Sequence, residues 1–413
     1  MTKEEKAGAI NFHNLHNTEM KNKIFTHLFI VFFIASYSCN NPTNSAHEEN
    51  SSDRLQTDST ASWAMTGFKK VDSINPILSA GLGTFVDPVT NKNVYWEQRD
   101  VYNPAIIGRN DTVYMLYRAQ DSAGTSRIGL AYSKDGLHFT RSGSPVLFPS
   151  NDAFKQYEWP GGCEDPRVVQ DSAGTYFMTY TAYDGKVARL FVASSKNLVN
   201  WIKHGSVFTK AYNGRYRDEW SKSGSIVSKY DNGKIVAARI NGKYWMYWGD
   251  QFIWAATSDD LVNWTPVEKE KNGKYKDVLL RGVAVNMPNL QVVIPTRNKK
   301  FDSDLVEPGP PAMLKDSGIL LIYNSRNVLS LGDSSLPEGT YAAGEVLLDK
   351  NDPTQIIHRL DHYIMKPDKP YELTGQVNNV CFLEGLANFK NKWFLYYGTA
   401  DSKIAVAVKD EKK

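Results

Sequence analysis

The chain has 413 residues, 41% of them hydrophobic and 23% charged, and a formal net charge of +3; disordered and fibrous classes are excluded, and the length allows one large core or two ordinary ones. No block of Lys and Arg occurs anywhere, which argues against an electrostatic nucleic-acid binder, because such proteins gather basic residues into a stripe. Three Cys, none at zinc-type spacing, are too few for a disulfide scaffold.

From Met20 the chain reads MKNKIFTHLFIVFFIASYSC, with two lysines, an apolar run from Ile24 to Ala35 and small residues up to Cys39. That is a secretory signal layout. The run falls short of the roughly 20 apolar residues a membrane span needs, so export with removal is expected. Cys39, directly after Ser36-Tyr37-Ser38, resembles the lipidated residue of a bacterial lipoprotein cleavage box. Residues 1–19 would displace a complete signal, which makes Met20 the expected start. Residues 1–39 are therefore a signal region, and residues 40–61 are too polar to form a core and read as a flexible tether. An exported, periplasmic or cell-surface protein follows, touching the membrane only through its lipid.

Residues 62–413 are expected to form one catalytic domain. Five segments share one grammar: an aromatic-rich alternating strand, a polar turn, a second strand and often an Asp-Gly or Asp-Leu turn. They begin at Val113, Thr175, Lys243, Gly318 and Lys392. With Tyr114, Tyr176, Tyr244, Leu320 and Phe394 as equivalent points, the spacings are 62, 68, 76 and 74 residues. Such a period fits a blade of four antiparallel strands plus a longer loop, so the expected fold is an all-β, five-bladed β-propeller. An immunoglobulin-type array would need units of about 100 residues. Helical periodicity is almost absent, and 18 Pro and 29 Gly punctuate the chain. Trp201 and Trp264, each after an Asn, read as packing between blades.

A propeller places its ligand site at one mouth of the central channel, so polar motifs beside the repeated strands are the candidates. The sharpest is Gly161-Gly162-Cys163-Glu164-Asp165-Pro166-Arg167, where Arg167 can pair with one carboxylate and leave the other free for chemistry. The 8 His show no ligand spacing, so no metal is expected, and no cofactor. Cys163 and Cys381 read as free buried thiols. Trp159, Trp220 and Trp248 suit either sugar stacking or core packing, and 12% aromatic residues suit both.

Asn103-Pro104-Ala105, Tyr117-Arg118-Ala119, Glu164-Asp165-Pro166-Arg167, Glu307-Pro308-Gly309-Pro310-Pro311, Tyr371-Glu372 with Gly375, and Tyr397-Gly398 through Asp401 follow one another along the chain. In that order they resemble glycoside hydrolase family 130, the five-bladed mannoside phosphorylases and related β-mannosidases, over about residues 75–408. The resemblance implies that Asp165 is the general acid, acting through a sugar hydroxyl. It also implies that Asn103, Arg118, Glu372 and Asp401 hold the mannosyl unit, with Glu164 and Arg167 beside them. Carboxylates and an Arg fork suit vicinal hydroxyls, and a carboxylic acid must protonate the departing oxygen.

The phosphorylase members hold phosphate with a cationic cluster, of which Lys222 keeps one position. The others read Tyr247-Trp248-Gly249-Asp250, Asp302-Ser303-Asp304-Leu305-Val306-Glu307 and Tyr323-Asn324. A carboxylate about 4 Å from a phosphate charge costs roughly 4 kcal/mol at an effective dielectric near 20. Water is therefore the expected acceptor, with Glu307, then Asp250 or Asp304, as the base. The expected activity is hydrolysis of β-mannosidic bonds in an oligosaccharide or glycan with inversion. Alternatives are phosphorolysis, with Lys222 and Arg215 or Arg217 holding phosphate, and a surface glycan-binding protein without turnover.

Overall fold

The computed structural model describes residues 61–231, 233–269 and 289–411, with the backbone of residues 279–280 and 283–284. The signal region, Cys39 and the tether up to residue 60 lie outside the described residues. Of the two units into which the chain divides, Met1–Leu55 and Gln56–Lys413, the described residues all belong to the second.

Among the described residues, α-helix is confined to single turns at Lys155–Glu158 and Pro370–Leu373. The arrangement is all-β, and most of its strands fall into antiparallel four-stranded runs. Their first strands are β1 (Asp100–Gly108), β2 (Gly162–Gln170), β3 (Ser225–Ile226), β4 (Leu305–Pro308) and β5 (Cys381–Phe389). β1 pairs with Val113–Gln120, which continues to Ser126–Ser133 and Thr140–Arg141. β2 leads in the same way to Tyr176–Tyr183, Ala188–Ser195 and Trp201–Ser206. β3 leads to Lys243–Trp248, Ile253–Ser258 and Trp264–Pro266. β4 leads to Gly318–Arg326, Tyr341–Leu348 and Ile356–Arg359. β5 leads to Lys392–Thr399 and Lys403–Asp410, and the fourth place is filled from the other end of the chain by Lys69–Lys70.

The repeat points taken from the sequence, Tyr114, Tyr176, Tyr244, Leu320 and Phe394, all fall in second strands. Neighbouring runs meet through isolated parallel bridges, such as Ser126 to Gly162 and Tyr341 to Val380. No closed ring of paired strands forms among the described residues. At the first of these bridges only glycine fits: Gly162 has φ +116°, and a Cβ there would lie 2.1 Å from the Ser126 carbonyl oxygen.

A short turn recurs between third and fourth strands for a definite chemical reason. Ser133, Ser195 and Ser258 each accept the N–H three residues on with Oγ, at 2.9, 3.0 and 3.0 Å. The side chains of Asp135, Asn197 and Asp260 accept the next N–H in line. Leu198 and Leu261 take positive φ where the first turn has Gly136. The indoles of Trp201 and Trp264 then donate back to Leu198 and Leu261, both at 3.1 Å. Trp264 is buried and Trp201 half-buried against the same core, so both are packing residues.

Apolar faces fill the space between neighbouring runs. Ile107, Met178, Phe191, Met246 and Trp264 join the first three runs, and Tyr247, Ile253, Leu321 and Val346 join the third and fourth. Leu320, Leu383 and Leu395 join the fourth and fifth, while Met115, Phe394 and Val406 return from the fifth to the first. Each fully buried side chain of this size contributes about 1.5–3 kcal/mol. The polar groups on the first strands are thereby held in a rigid frame.

Candidate active site

Three first strands are interrupted where chemistry-bearing residues stand. The pairing of β1 is bulged between Tyr102 and Pro104, that of β2 between Glu164 and Arg167, and that of β5 between Leu383 and Gly385. A bulge leaves a residue unpaired and re-aims its side chain. Asn103 and Asp165 adopt φ of +51° and +48°, the left-handed region that Asn and Asp tolerate better than other side chains. Gly398 gives Asn103 its room, since a Cβ on Gly398 would lie 2.6 Å from Asn103 Oδ1.

Asp165 is 3% exposed and sits among donors. Its Oδ1 accepts from Asn103 Nδ2 at 2.8 Å and Arg118 Nη1 at 3.1 Å, and its Oδ2 lies 3.5 Å from Lys222 Nζ. Burial pushes the carboxyl up, but Arg118, Lys222 and the Asn103 bond outweigh it and hold Asp165 well below the usual carboxylate range. Arg118 also donates from Nη2 to Glu164 Oε1 at 2.6 Å and stacks on Tyr102, 4.7 Å from the ring centroid. Glu164 moves the opposite way: burial pushes it up although Arg118 opposes. Asp401 is pushed up to about 6 by burial, with Arg118 opposing and Asp165 adding to the rise.

Lys222 faces the far side of the cluster. Burial would lower its proton affinity, but Asp165, Glu307, Asp250 and Glu164 together raise it, so the ammonium stays charged. Glu307, 5% exposed at the end of β4, accepts a hydrogen bond from Ser223. Burial pushes its carboxyl up to about 7, with Asp250 adding and Lys222 opposing. Asp250 is half-buried and accepts from the Trp220 indole at 2.8 Å. The structure thus gathers Asn103, Arg118, Glu164, Asp165, Lys222, Asp250, Glu307 and Asp401 into one electrostatically connected group.

One expectation is corrected, and the remaining candidates have partners of their own. Arg167 pairs with neither Glu164 nor Asp165 side chain; Arg118 does so instead. Arg167 donates to the carbonyls of Gly309 at 2.8 Å and Pro308 at 2.7 Å, and Nη1 lies 3.3 Å from Glu384. Glu372 is fully buried. Its Oε2 accepts from Lys70 Nζ at 2.7 Å and from the N–H groups of Asp368 and Lys369, and its Oε1 accepts from the Tyr397 hydroxyl at 2.9 Å. Asp304 is buried and accepts a hydrogen bond from Arg326. Arg215 and Arg217 pair with Glu268 and Asp218 on the exposed surface. Trp248 packs on Phe208 and Trp254 in the core, while Trp159 and Trp220 are half-buried. Asn324, where phosphorylases would place a cation, spends its amide on the backbone of Leu383.

Glu384 and Ser223 escaped the sequence reading. Glu384 is fully buried on β5, and its proton affinity is raised well above the usual range by burial, with Asp165 and Glu307 adding and Arg167 opposing. A signal for both was present: Asn103-Pro104, Asp165-Pro166, Ser223-Gly224, Glu307-Pro308 and Glu384-Gly385 are each a polar residue followed by Pro or Gly, at or just before a first strand. Aligning first strands rather than second strands brings them out.

A family model described as "beta-1,4-mannooligosaccharide phosphorylase", that of glycoside hydrolase family 130, matches residues 70–413. A 1,2-beta-oligomannan phosphorylase of Thermoanaerobacter sp. (strain X514) is 32% identical over 327 residues, 77% of this chain and 92% of that protein. A glycosyl hydrolase from Bacteroides ovatus, known as a crystal structure, is 44% identical with a TM-score of 0.78, covering 85% of this chain and 96% of its own. A further structure, 43% identical with a TM-score of 0.79 and covering 85% and 96%, is described with the words "the GH130 family of mannoside phosphorylases contains glycoside hydrolases that target beta-1,2 mannosidic linkages in Candida mannan".

Proposed function

The chain belongs to glycoside hydrolase family 130, and from that premise we propose that it cleaves β-mannosidic bonds of a glycan by hydrolysis with inversion, on a five-bladed propeller. The propeller is supported by the matching polar-then-Pro-or-Gly pairs at the five first strands and by the bonds that link them: Asn103 to Asp165, and Ser223 to Glu307.

The observation that carries hydrolysis is the charge around Lys222. One ammonium faces Asp165, Glu307, Asp250 and Glu164, and the other positions expected to bind phosphate hold acids or a spent amide. Phosphate beside Glu307 would meet a repulsion of roughly 4 kcal/mol, about a thousandfold in affinity. Water meets no such cost. In this proposal Glu307 takes a proton from water as its oxygen bonds to the anomeric carbon. The glycosidic C–O bond breaks on the opposite face, and the leaving oxygen receives a proton from a sugar hydroxyl that Asp165 replenishes. Asp165 is ionised in the empty site. In this proposal Asp165 takes up a proton from solvent as the glycan binds, and so reaches its donating state. Asn103, Arg118 and Asp401 face the same mannosyl unit.

Phosphorolysis is the second reading, favoured by Lys222 at 3.5 Å from Asp165 and by the phosphorylase relatives. Incubation with β-1,2- and β-1,4-manno-oligosaccharides, with and without phosphate, should release mannose at the same rate in both. Mannose 1-phosphate accumulating in a phosphate-dependent reaction would sink hydrolysis.

Export on a Cys39 lipid belongs to the proposal, because a sugar phosphate made outside the cell membrane would be lost. Acyl anchoring contributes about 0.8 kcal/mol per buried methylene. Cys39→Ala should therefore move the protein from the membrane to the soluble fraction, and a variant that stays with the membrane contradicts the anchor.

A further inference from the structure

We propose that Glu384 is a positioning residue which, through Arg167, holds the strands that carry Asp165 and Glu307 at a fixed separation. This rests on the reading above in taking those two carboxylates as the reacting pair.

The Arg167 guanidinium joins three strands. From β2 it reaches β4 through the carbonyls of Pro308 and Gly309, directly after Glu307, at 2.7 and 2.8 Å. Its Nη1 lies 3.4 Å from the Asp165 carbonyl oxygen on its own strand and 3.3 Å from Glu384 Oε1 on β5. Arg167 is 2% exposed and Glu384 fully buried, and neither Glu384 oxygen receives a hydrogen bond among the described residues. The β5 bulge between Leu383 and Gly385 is what places Glu384 there.

Stability alone does not account for this group. A buried carboxyl without hydrogen-bond donors is costly, and a buried ion pair is often no better for stability than packed apolar side chains. Geometry does account for it. An inverting hydrolase needs its carboxyl groups about 6.5–9.5 Å apart to admit a water, and a misplacement of about 1 Å can cost a hundredfold in rate. A guanidinium pinned between the two strands, with the Glu384 carboxyl behind it, is a spacer of that kind. Glu384 itself touches no reacting atom in this account.

Three variants test the proposal: Glu384→Leu, Glu384→Gln and Arg167→Lys, assayed on a manno-oligosaccharide with and without phosphate, with folding followed by circular dichroism. Glu384→Leu should lower kcat about a hundredfold with KM within about threefold. Glu384→Gln, whose amide oxygen still faces Arg167, should recover at least about tenfold of that loss. Arg167→Lys keeps the charge but not the fork and should resemble Glu384→Leu. Wild-type kcat in folded Glu384→Leu overturns the proposal however far its Tm falls, and so does Glu384→Gln no faster than Glu384→Leu. If Glu384→Leu does not fold, wild-type kcat in Arg167→Lys overturns it instead. A wild type that turns over only with phosphate ends the hydrolytic reading, and the same comparison of variants run in phosphate still decides the role of Glu384.

Discussion

Asp165→Asn should lower turnover of an unactivated manno-oligosaccharide by about a hundred- to ten-thousandfold, the usual contribution of a general acid, while the protein stays folded. The amide keeps an oxygen for Asn103 and Arg118, while the charge that faces Lys222 is lost together with the titrating proton. On an aryl mannoside whose leaving group needs no proton the deficit should shrink by at least about tenfold, which separates a lost acid from a damaged site. Released mannose, measured beside circular dichroism, checks this. A near-wild-type rate on the unactivated substrate would remove Asp165 from the acid's role, and loss of fold would make it a structural ion-pair partner.

Glu307→Gln should cost about a hundredfold or more in rate, with azide or formate restoring part of it as a small external nucleophile or base. Wild-type kcat should rise with pH as Glu307, pushed up to about 7 by burial in the empty site, gives up its proton, provided that the bound glycan keeps Asp165 in its donating state. Asp250→Asn should move the midpoint down, since it removes a negative charge that disfavours ionised Glu307. The same shift acts on folding. Between about 4.5, the ordinary glutamate value, and 7 the native protein keeps a proton that the unfolded chain has released, so this group's contribution to stability falls as pH rises across that window. A kcat that is flat or falling from pH 5 to pH 8 would show that Glu307 as base and Asp165 as acid do not hold together.

Residues that face their neighbours along the chain were legible in the sequence. The Ser-x-Asp and Ser-x-Asn turns use side chains two and three residues from the N–H groups they accept, and the Tyr-rich second strands are continuous segments such as Tyr176–Tyr183. Asn103, Arg118 and Asp165 were legible too, because their motifs stand whole. Contacts across runs were not. Arg167 was matched to the nearest carboxylates in sequence, yet its hydrogen bonds go to carbonyls 141 and 142 residues away. Glu372 gives no local sign of its partner Lys70, which reaches it from 302 residues upstream. Asp304 and Arg326 met in the same way, across a strand pairing whose register no local pattern states. Glu384 was hidden because a lone Glu before Gly carries no motif until the first strands are superposed.

The fifth run is finished by Lys69–Lys70 against Ala407 and Val408, with Lys70 also bonded to Glu372. The earliest strand of the domain and its last hairpin are thus one sheet, joined over contacts whose loop entropy must be met before any of them forms. During synthesis the Lys69–Lys70 edge waits, unpaired, until the final strand has been made. Among the described strands, the first that the ribosome delivers is therefore the last that its sheet can take in.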